Sequence, residues 1–254
     1  MESGRPPVLA VQGLGLRIGG VSIVEDVTFD VRAGEFLVII GPNGAGKTTL
    51  FNLLSGFARP TAGRIEFAGR DITYAEPYVR ARLGLGRTFQ TSTVFGGLST
   101  LENVRLAASA ALGTSAQAWH LADREALPLE RARAALAEVG LGNREKARAG
   151  LLSHGEKRKL DLAILLCSEP EVVLLDEPTA GMAVEDVPDM VKLIASIHRE
   201  RGKTVMMVEH RMDLVLALAD RLAVMHHGAL LAIDTPELIV ADEAVQSAYL
   251  GDPL

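Results

Sequence analysis

Cysteine is almost absent from this chain: its 254 residues contain one, Cys167. A lone thiol excludes an internal disulfide and any cysteine-based metal cluster, and its apolar neighbours Leu165 and Leu166 point to a buried structural residue. Uninterrupted apolar runs are missing too. Charged residues break every run below the roughly 18 residues that a membrane span needs, and the N-terminus, MESGRPPVLAVQG, carries no signal-peptide segment. Basic charge is not in surplus: 26 Lys and Arg stand against 32 Asp and Glu, a formal net charge of -6. That balance argues against nucleic acid as a partner, because affinity for a phosphate backbone requires clustered cations. There is no internal repeat and no sustained heptad pattern. These absences predict a soluble, cytoplasmic protein whose membrane role, if it has one, comes through a partner.

What is present suffices for a packed core, since 48% of the residues are hydrophobic. Short β-branched runs, Val27 to Val31, Phe36 to Ile40, Val172 to Leu175, Thr204 to Val208 and Leu222 to Met225, alternate with helical patterns. The alternation predicts an α/β domain with a largely parallel sheet. Between Thr100 and Cys167 the pattern becomes Ala- and Leu-rich helix, including the run from Asp123 to Val139. The expected organisation is one domain, with an α/β core over residues 1–98 and 168–254 and an inserted helical subdomain over 99–167. Thr235, Pro236 and Glu237 read as a helix start with Pro at its first position, followed by a second short helix reaching Tyr249.

Residues 41–48 read GPNGAGKT and fit G-x-x-x-x-G-K-[ST] between an apolar strand and the helical run Thr49 to Phe57. Gly41, Gly44 and Gly46 let backbone N–H groups converge on phosphate oxygens, Pro42, Asn43 and Ala45 complete the loop, and the helix N-terminus that includes Thr49 adds partial positive charge. In such a loop Lys47 reaches the β- and γ-phosphates and the Thr48 hydroxyl binds Mg²⁺. The strand Val172 to Leu175 ends in Asp176 and Glu177. Taken alone, two acids there also suit a plain structural role, capping the turn at Pro178 and Thr179. Beside a phosphate loop, the first carboxylate suits Mg²⁺ through its water and the second suits the attacking water. His210 follows the strand Thr204 to Val208, where an imidazole can hydrogen-bond a γ-phosphate.

Leu152 to Glu156 reads LSHGE before the helical run Lys157 to Cys167, and Ser153 with Glu156 forms an S-x-x-E capping box. A capped helix N-terminus with Ser and Gly exposed is also an anion site. Because the chain already has one phosphate loop, the second site implies a nucleotide from a second subunit.

With these segments in place the chain resembles the ATPases of ABC transporters over nearly its whole length, and most closely the ATP-binding subunits of branched-chain (hydrophobic) amino acid importers and their urea and amide relatives. The closer match is carried by GPNGAGKTTLFNLLSGF from Gly41, RTFQ from Arg87, LSHGEKRKLDLA from Leu152, DEPTAGM from Asp176, EHRMDLV from Glu209 and AYLG from Ala248. The resemblance implies a P-loop NTPase (RecA-like) core with an N-terminal antiparallel β subdomain and an inserted α-helical signature subdomain. It implies ATP and Mg²⁺ as ligands, Gln90 as a residue that touches Mg²⁺ and senses the membrane subunit, and Ser153, Gly155 and Glu156 as the corner that meets the ATP of the opposite subunit. The partners it implies are a second ATP-binding subunit, identical or paralogous, integral membrane permeases and, indirectly, a solute-binding protein. Such a subunit sits peripherally on the inner face of the cell membrane, with a docking groove expected beside the Thr100 to Gly140 helices.

Three positions depart from the family pattern. Ile18 stands where an aromatic residue usually stacks on adenine, His154 and Glu156 replace the common Gly and Gln of the signature, and Ala183 replaces an aspartate. They leave open a nucleotide-binding regulatory module that does not hydrolyse. A soluble ABC ATPase acting on chromosomes or ribosomes normally shows a long coiled-coil insertion or two cassettes, and neither is present.

Overall fold

A computed structural model describes residues 6–89, 94–113 and 123–250. The chain divides into two compact units, residues 1–85, 172–177 and 195–254 in one and residues 86–171 and 178–194 in the other. The helical run expected over 99–167 lies inside the second unit, which also takes in 86–98, 168–171 and 178–194.

In the first unit, β1 (Leu9–Ile18) and β2 (Val21–Val31) form an antiparallel hairpin. Its two-residue turn is Gly19 and Gly20, both at positive φ (57° and 84°), the twist that a tight hairpin requires. β3 (Phe36–Ile40) leads into α1 (Lys47–Ser55), and β4 (Ala62–Phe67) and β5 (Arg70–Asp71) complete a four-stranded sheet ordered β2-β1-β4-β5. α2 (Pro77–Leu83) follows, and the chain leaves this unit along β6 (Leu85–Arg87). The central sheet runs β10-β9-β3-β8-β7. β3, β7 (Val172–Asp176) and β8 (Thr204–Val208) are buried at every residue, as strands covered on both faces must be. β9 (Arg221–His226) pairs parallel to β3, and β10 (Ala229–Asp234) closes the edge antiparallel.

The core of this unit joins Leu50, Leu53 and Leu54 of α1 to Leu37 and Ile39 of β3 and to Val11, Ile65 and Phe67 of the antiparallel sheet. Arg80 of α2 is buried in the same unit, and its guanidinium donates to the carbonyls of Leu53, Leu54, Thr73 and Ala75. It thereby adds donors to two carbonyls in the last turn of α1, Leu54 O and Leu53 O, the second of which also accepts from the Gly56 N–H, and a cation there suits the helix dipole. Burial lowers its pKa to about 10, so it stays charged at neutral pH.

The second unit packs α3 (Thr100–Ala111), α4 (Asp123–Glu138) and α5 (His154–Leu166) together, and α6 (Val187–Arg199) starts in it. Ser99 caps α3, accepting from the Glu102 N–H at 3.1 Å. Cys167 is buried at the end of α5, where burial pushes its thiol up to about 12 and leaves it unreactive. α7 (Met212–Leu218), α8 (Pro236–Ala241) and α9 (Glu243–Leu250) belong to the first unit. Among the described residues no helix is long and apolar enough to cross a membrane.

Candidate functional site

The first unit brings the loop 41–48, Asp176, Glu177 and His210 to the carboxyl ends of neighbouring strands. β3 delivers the loop, β7 ends in Asp176, and β8 precedes His210. This is the end at which parallel α/β sheets place their ligands. Gly41 has φ 153°, and a Cβ there would lie 2.2 Å from the Met225 carbonyl oxygen. At Gly46, φ 94°, a Cβ would lie 2.8 Å from the Ile23 carbonyl oxygen. Side chains are thus excluded on the loop's protein side, and Gly44 (φ 82°) turns the exposed crest. The loop is closed internally by Ala45 N–H to Pro42 O at 3.2 Å, and Asn43 is exposed beside Gly44.

Lys47 opens α1, with Thr48 exposed and Thr49 half-buried after it. The Lys47 ammonium donates to Gly41 O at 2.7 Å and Pro42 O at 2.9 Å. Burial pushes its pKa down, and the carboxylates of Glu177 and Asp176 pull the other way. Asp176 is buried, whereas Glu177 adopts φ 48°, a left-handed conformation uncommon for a non-glycine residue. Its N–H still donates to Val208 O at 3.0 Å, extending the β7–β8 pairing by a residue, and its Oε1 accepts from Nε2 of His210 at 2.9 Å. Glu209, buried beside it, accepts from the His210 N–H at 2.9 Å and fixes the backbone that carries the imidazole.

The residues present fit a magnesium triphosphate. The Thr48 hydroxyl and the Asp176 carboxylate are hard oxygen donors, the type Mg²⁺ takes together with phosphate oxygens and water. No group of three or more His, Cys, Asp or Glu side chains suited to a metal occurs among the described residues, and such a site does not require one. Ile18 stands at the tip of the β1–β2 hairpin and is 62% exposed, available as an apolar surface. Gln90 lies outside the described residues.

The second unit holds the signature corner. Ser153 is the N-cap of α5: its Oγ accepts from the Glu156 N–H at 3.2 Å, and the Glu156 carboxylate accepts from the Ser153 N–H at 2.9 Å. This is the reciprocal box expected from S-x-x-E. Arg144 adds a bond to Glu156 Oε1 at 2.9 Å. The Ser153 amide first, and Arg144 with it, hold the Glu156 carboxyl below its ordinary range. Ser153 is exposed as expected, but Gly155 is not: it is buried, because Asp186 and Met182 pack where its Cβ would be.

Sequence reasoning missed the scaffold behind the phosphate loop. Gly228, in the β9–β10 turn at φ 83°, donates its N–H to Ala45 O at 3.1 Å and accepts at its carbonyl from Glu25 N–H at 2.8 Å. The HHG turn was readable as a hairpin, but its contact with a loop some 180 residues earlier carries no local signal. Arg144 was likewise unmarked.

Comparison with known proteins bears on this arrangement. The sequence profile described as "ABC transporter" matches residues 24–180. The chain is 37% identical over 253 residues to the high-affinity branched-chain amino acid transport ATP-binding protein LivG of Salmonella typhimurium, covering 97% of this chain and 98% of that protein. It is 38% identical, over the same shares, to the corresponding protein BraF of Pseudomonas aeruginosa. A crystal structure of the ADP conformation of an ATP-binding cassette of an ABC transporter superposes with a TM-score of 0.83 at 28% identity, over 98% of this chain and 100% of the other. The chain therefore belongs to the ABC transporter family and has the fold of its ATP-binding cassettes.

Proposed function

We propose that this chain is the ATP-hydrolysing subunit of an importer for branched-chain amino acids, which drives uptake by closing with a second ATP-binding subunit around two ATP molecules. Its family makes it an ATPase. The observation that carries the importer reading is the 37% and 38% identity, over nearly the full length, to two proteins named for high-affinity branched-chain amino acid transport.

In this reading the loop 41–48 grips the triphosphate with its amides while Lys47 neutralises the β- and γ-phosphates. Thr48 and Asp176 would hold Mg²⁺, and that ion when bound would screen charge on the phosphate oxygens. Glu177 accepts a proton from, or orients, the attacking water, and His210 holds that carboxylate from the side. Ser153, Gly155 and Glu156 of one subunit present the capped N-terminus of α5 to the γ-phosphate of the other subunit's ATP, so hydrolysis requires the pair. Release of phosphate removes the charge that joins the two subunits, and the resulting opening is delivered to permeases in the membrane. A solute-binding protein supplies those permeases, and the ATPase sits on the cytoplasmic face.

Uptake by cells from which this chain has been deleted tests the substrate. Loss of high-affinity leucine, isoleucine and valine uptake is expected, restored by the wild-type chain. Unchanged uptake of all three with loss of urea or amide uptake overturns the amino-acid reading and leaves the urea and amide branch, to which the HG and AGM segments are similar.

A further inference from the structure

We propose that His154 is a positioning residue that fastens the segment following Glu177 to the first turn of α5. Nε2 of His154 lies 3.2 Å from the carbonyl oxygen of Ala180. A carbonyl only accepts, so Nε2 carries the hydrogen and the imidazole is the donor. The neighbouring positions show how closely the two segments approach. Gly181 has φ 72°, and a Cβ on it would lie 3.0 Å from His154 Nε2. A Cβ on Gly155 would lie 2.9 Å from Asp186 Oδ2 and 3.4 Å from Met182 Cε. Residues 180–186 therefore lie against the start of α5 at several successive points, and two glycines make the approach possible.

The segment's internal backbone bonds run from Met182 N–H to Thr179 O at 3.2 Å and from Asp186 N–H to Ala183 O at 3.0 Å. Ala183 is the N-cap of the 3-10 turn Val184–Asp186 and makes no side-chain cap bond, having no oxygen to make one with. A glycine at position 154 would leave Ala180 O without its imidazole donor. His154 thus supplies from α5 a donor to a carbonyl that precedes the uncapped turn Val184–Asp186. Ser153 and Gly155 flank it in sequence, so the corner proposed to meet nucleotide and the segment that starts directly after Glu177 are held as one piece. The catalytic consequence rests on the ATPase reading given above, whereas the fastening itself does not.

The experiment compares wild type, His154→Phe, which keeps a ring and loses the donor, and His154→Gln, which keeps a donor of similar reach. Amide hydrogen exchange is followed over residues 179–186, and ATP hydrolysis is measured on the same preparations. For His154→Phe, exchange in that segment rises about fivefold and kcat falls about fivefold, the scale of one partly exposed hydrogen bond, with KM for ATP within about twofold. His154→Gln returns both quantities to within about twofold of wild type. Unchanged exchange in His154→Phe overturns the proposal, as does a loss of kcat that His154→Gln does not recover. A rise in KM alone also overturns it, because that result makes His154 a nucleotide contact. If the wild type fails to hydrolyse ATP, the ATPase reading falls, and the exchange measurement still decides the fastening.

Discussion

Nε2 of His210 and Oε1 of Glu177 are hydrogen-bonded at 2.9 Å, although 33 residues separate them in the chain. A carboxylate accepts, so the imidazole donates, and the rotamer of Glu177 is held by a neighbour on the adjacent strand's loop. Glu177 itself pays a conformational penalty at φ 48°, which persists because the N–H bond to Val208 and the imidazole both constrain it. His210→Ala removes the donor and leaves the carboxylate free to rotate. Steady-state hydrolysis should show kcat lowered about 10- to 100-fold with KM for ATP within about threefold. Wild-type kcat in that variant contradicts the holding role.

Lys47 offers a second test, of binding rather than chemistry. Its ammonium sits between the carbonyls of Gly41 and Pro42 and the charges of Asp176 and Glu177. Loss of a charge-assisted contact to phosphate costs about 1.5 to 3 kcal/mol, so Lys47→Ala should weaken ATP binding roughly 10- to 150-fold in equilibrium titration. Unchanged affinity contradicts the cradle.

The turn beneath the loop makes a separate prediction. Gly228→Ala places a side chain at φ 83° with its Cβ 2.7 Å from Ile23 O, and the contact of the Gly228 N–H with Ala45 is disturbed. The strain is of order 1 to 3 kcal/mol. Thermal unfolding should show that loss, and KM for ATP should rise while kcat holds. A wild-type melting temperature and KM together contradict the support role.

These three sites show what was legible in the sequence. The strand runs Phe36 to Ile40, Val172 to Leu175 and Thr204 to Val208 were readable because strands buried on both faces must be apolar throughout, and the phosphate loop because its chemistry fixes glycines and a lysine at set spacing. The S-x-x-E capping box was readable because it is local, with both bonds made within four residues. Other features were not. β1 and β4 alternate burial weakly and both residues of β5 are exposed, so none of them carries an apolar run like Val27 to Val31 at the end of β2. The bond from Gly228 to Ala45, the four carbonyl bonds of Arg80 and the reach of His154 to Ala180 join residues by tertiary approach, and carbonyl oxygens have no signature in a sequence.

A pH dependence follows from Glu156. The Ser153 amide and Arg144 hold its folded pKa below the ordinary carboxyl value. A depressed carboxyl contributes stability that is present above the unfolded pKa, near 4.5, and is lost as pH falls through the lowered folded value. Glu156→Gln keeps an acceptor for the Ser153 N–H and cannot titrate. Melting temperatures recorded from about pH 6 down to about pH 3 should therefore fall more steeply for wild type than for Glu156→Gln. Parallel curves contradict a titrating cap.

The most direct test of the whole account compares ATP hydrolysis and ATP binding by wild type and Glu177→Gln in Mg²⁺. The substitution leaves the phosphate cradle intact and removes the carboxylate assigned to the water. Binding should stay within about threefold while kcat falls at least about 100-fold. Equal rates of hydrolysis would contradict it.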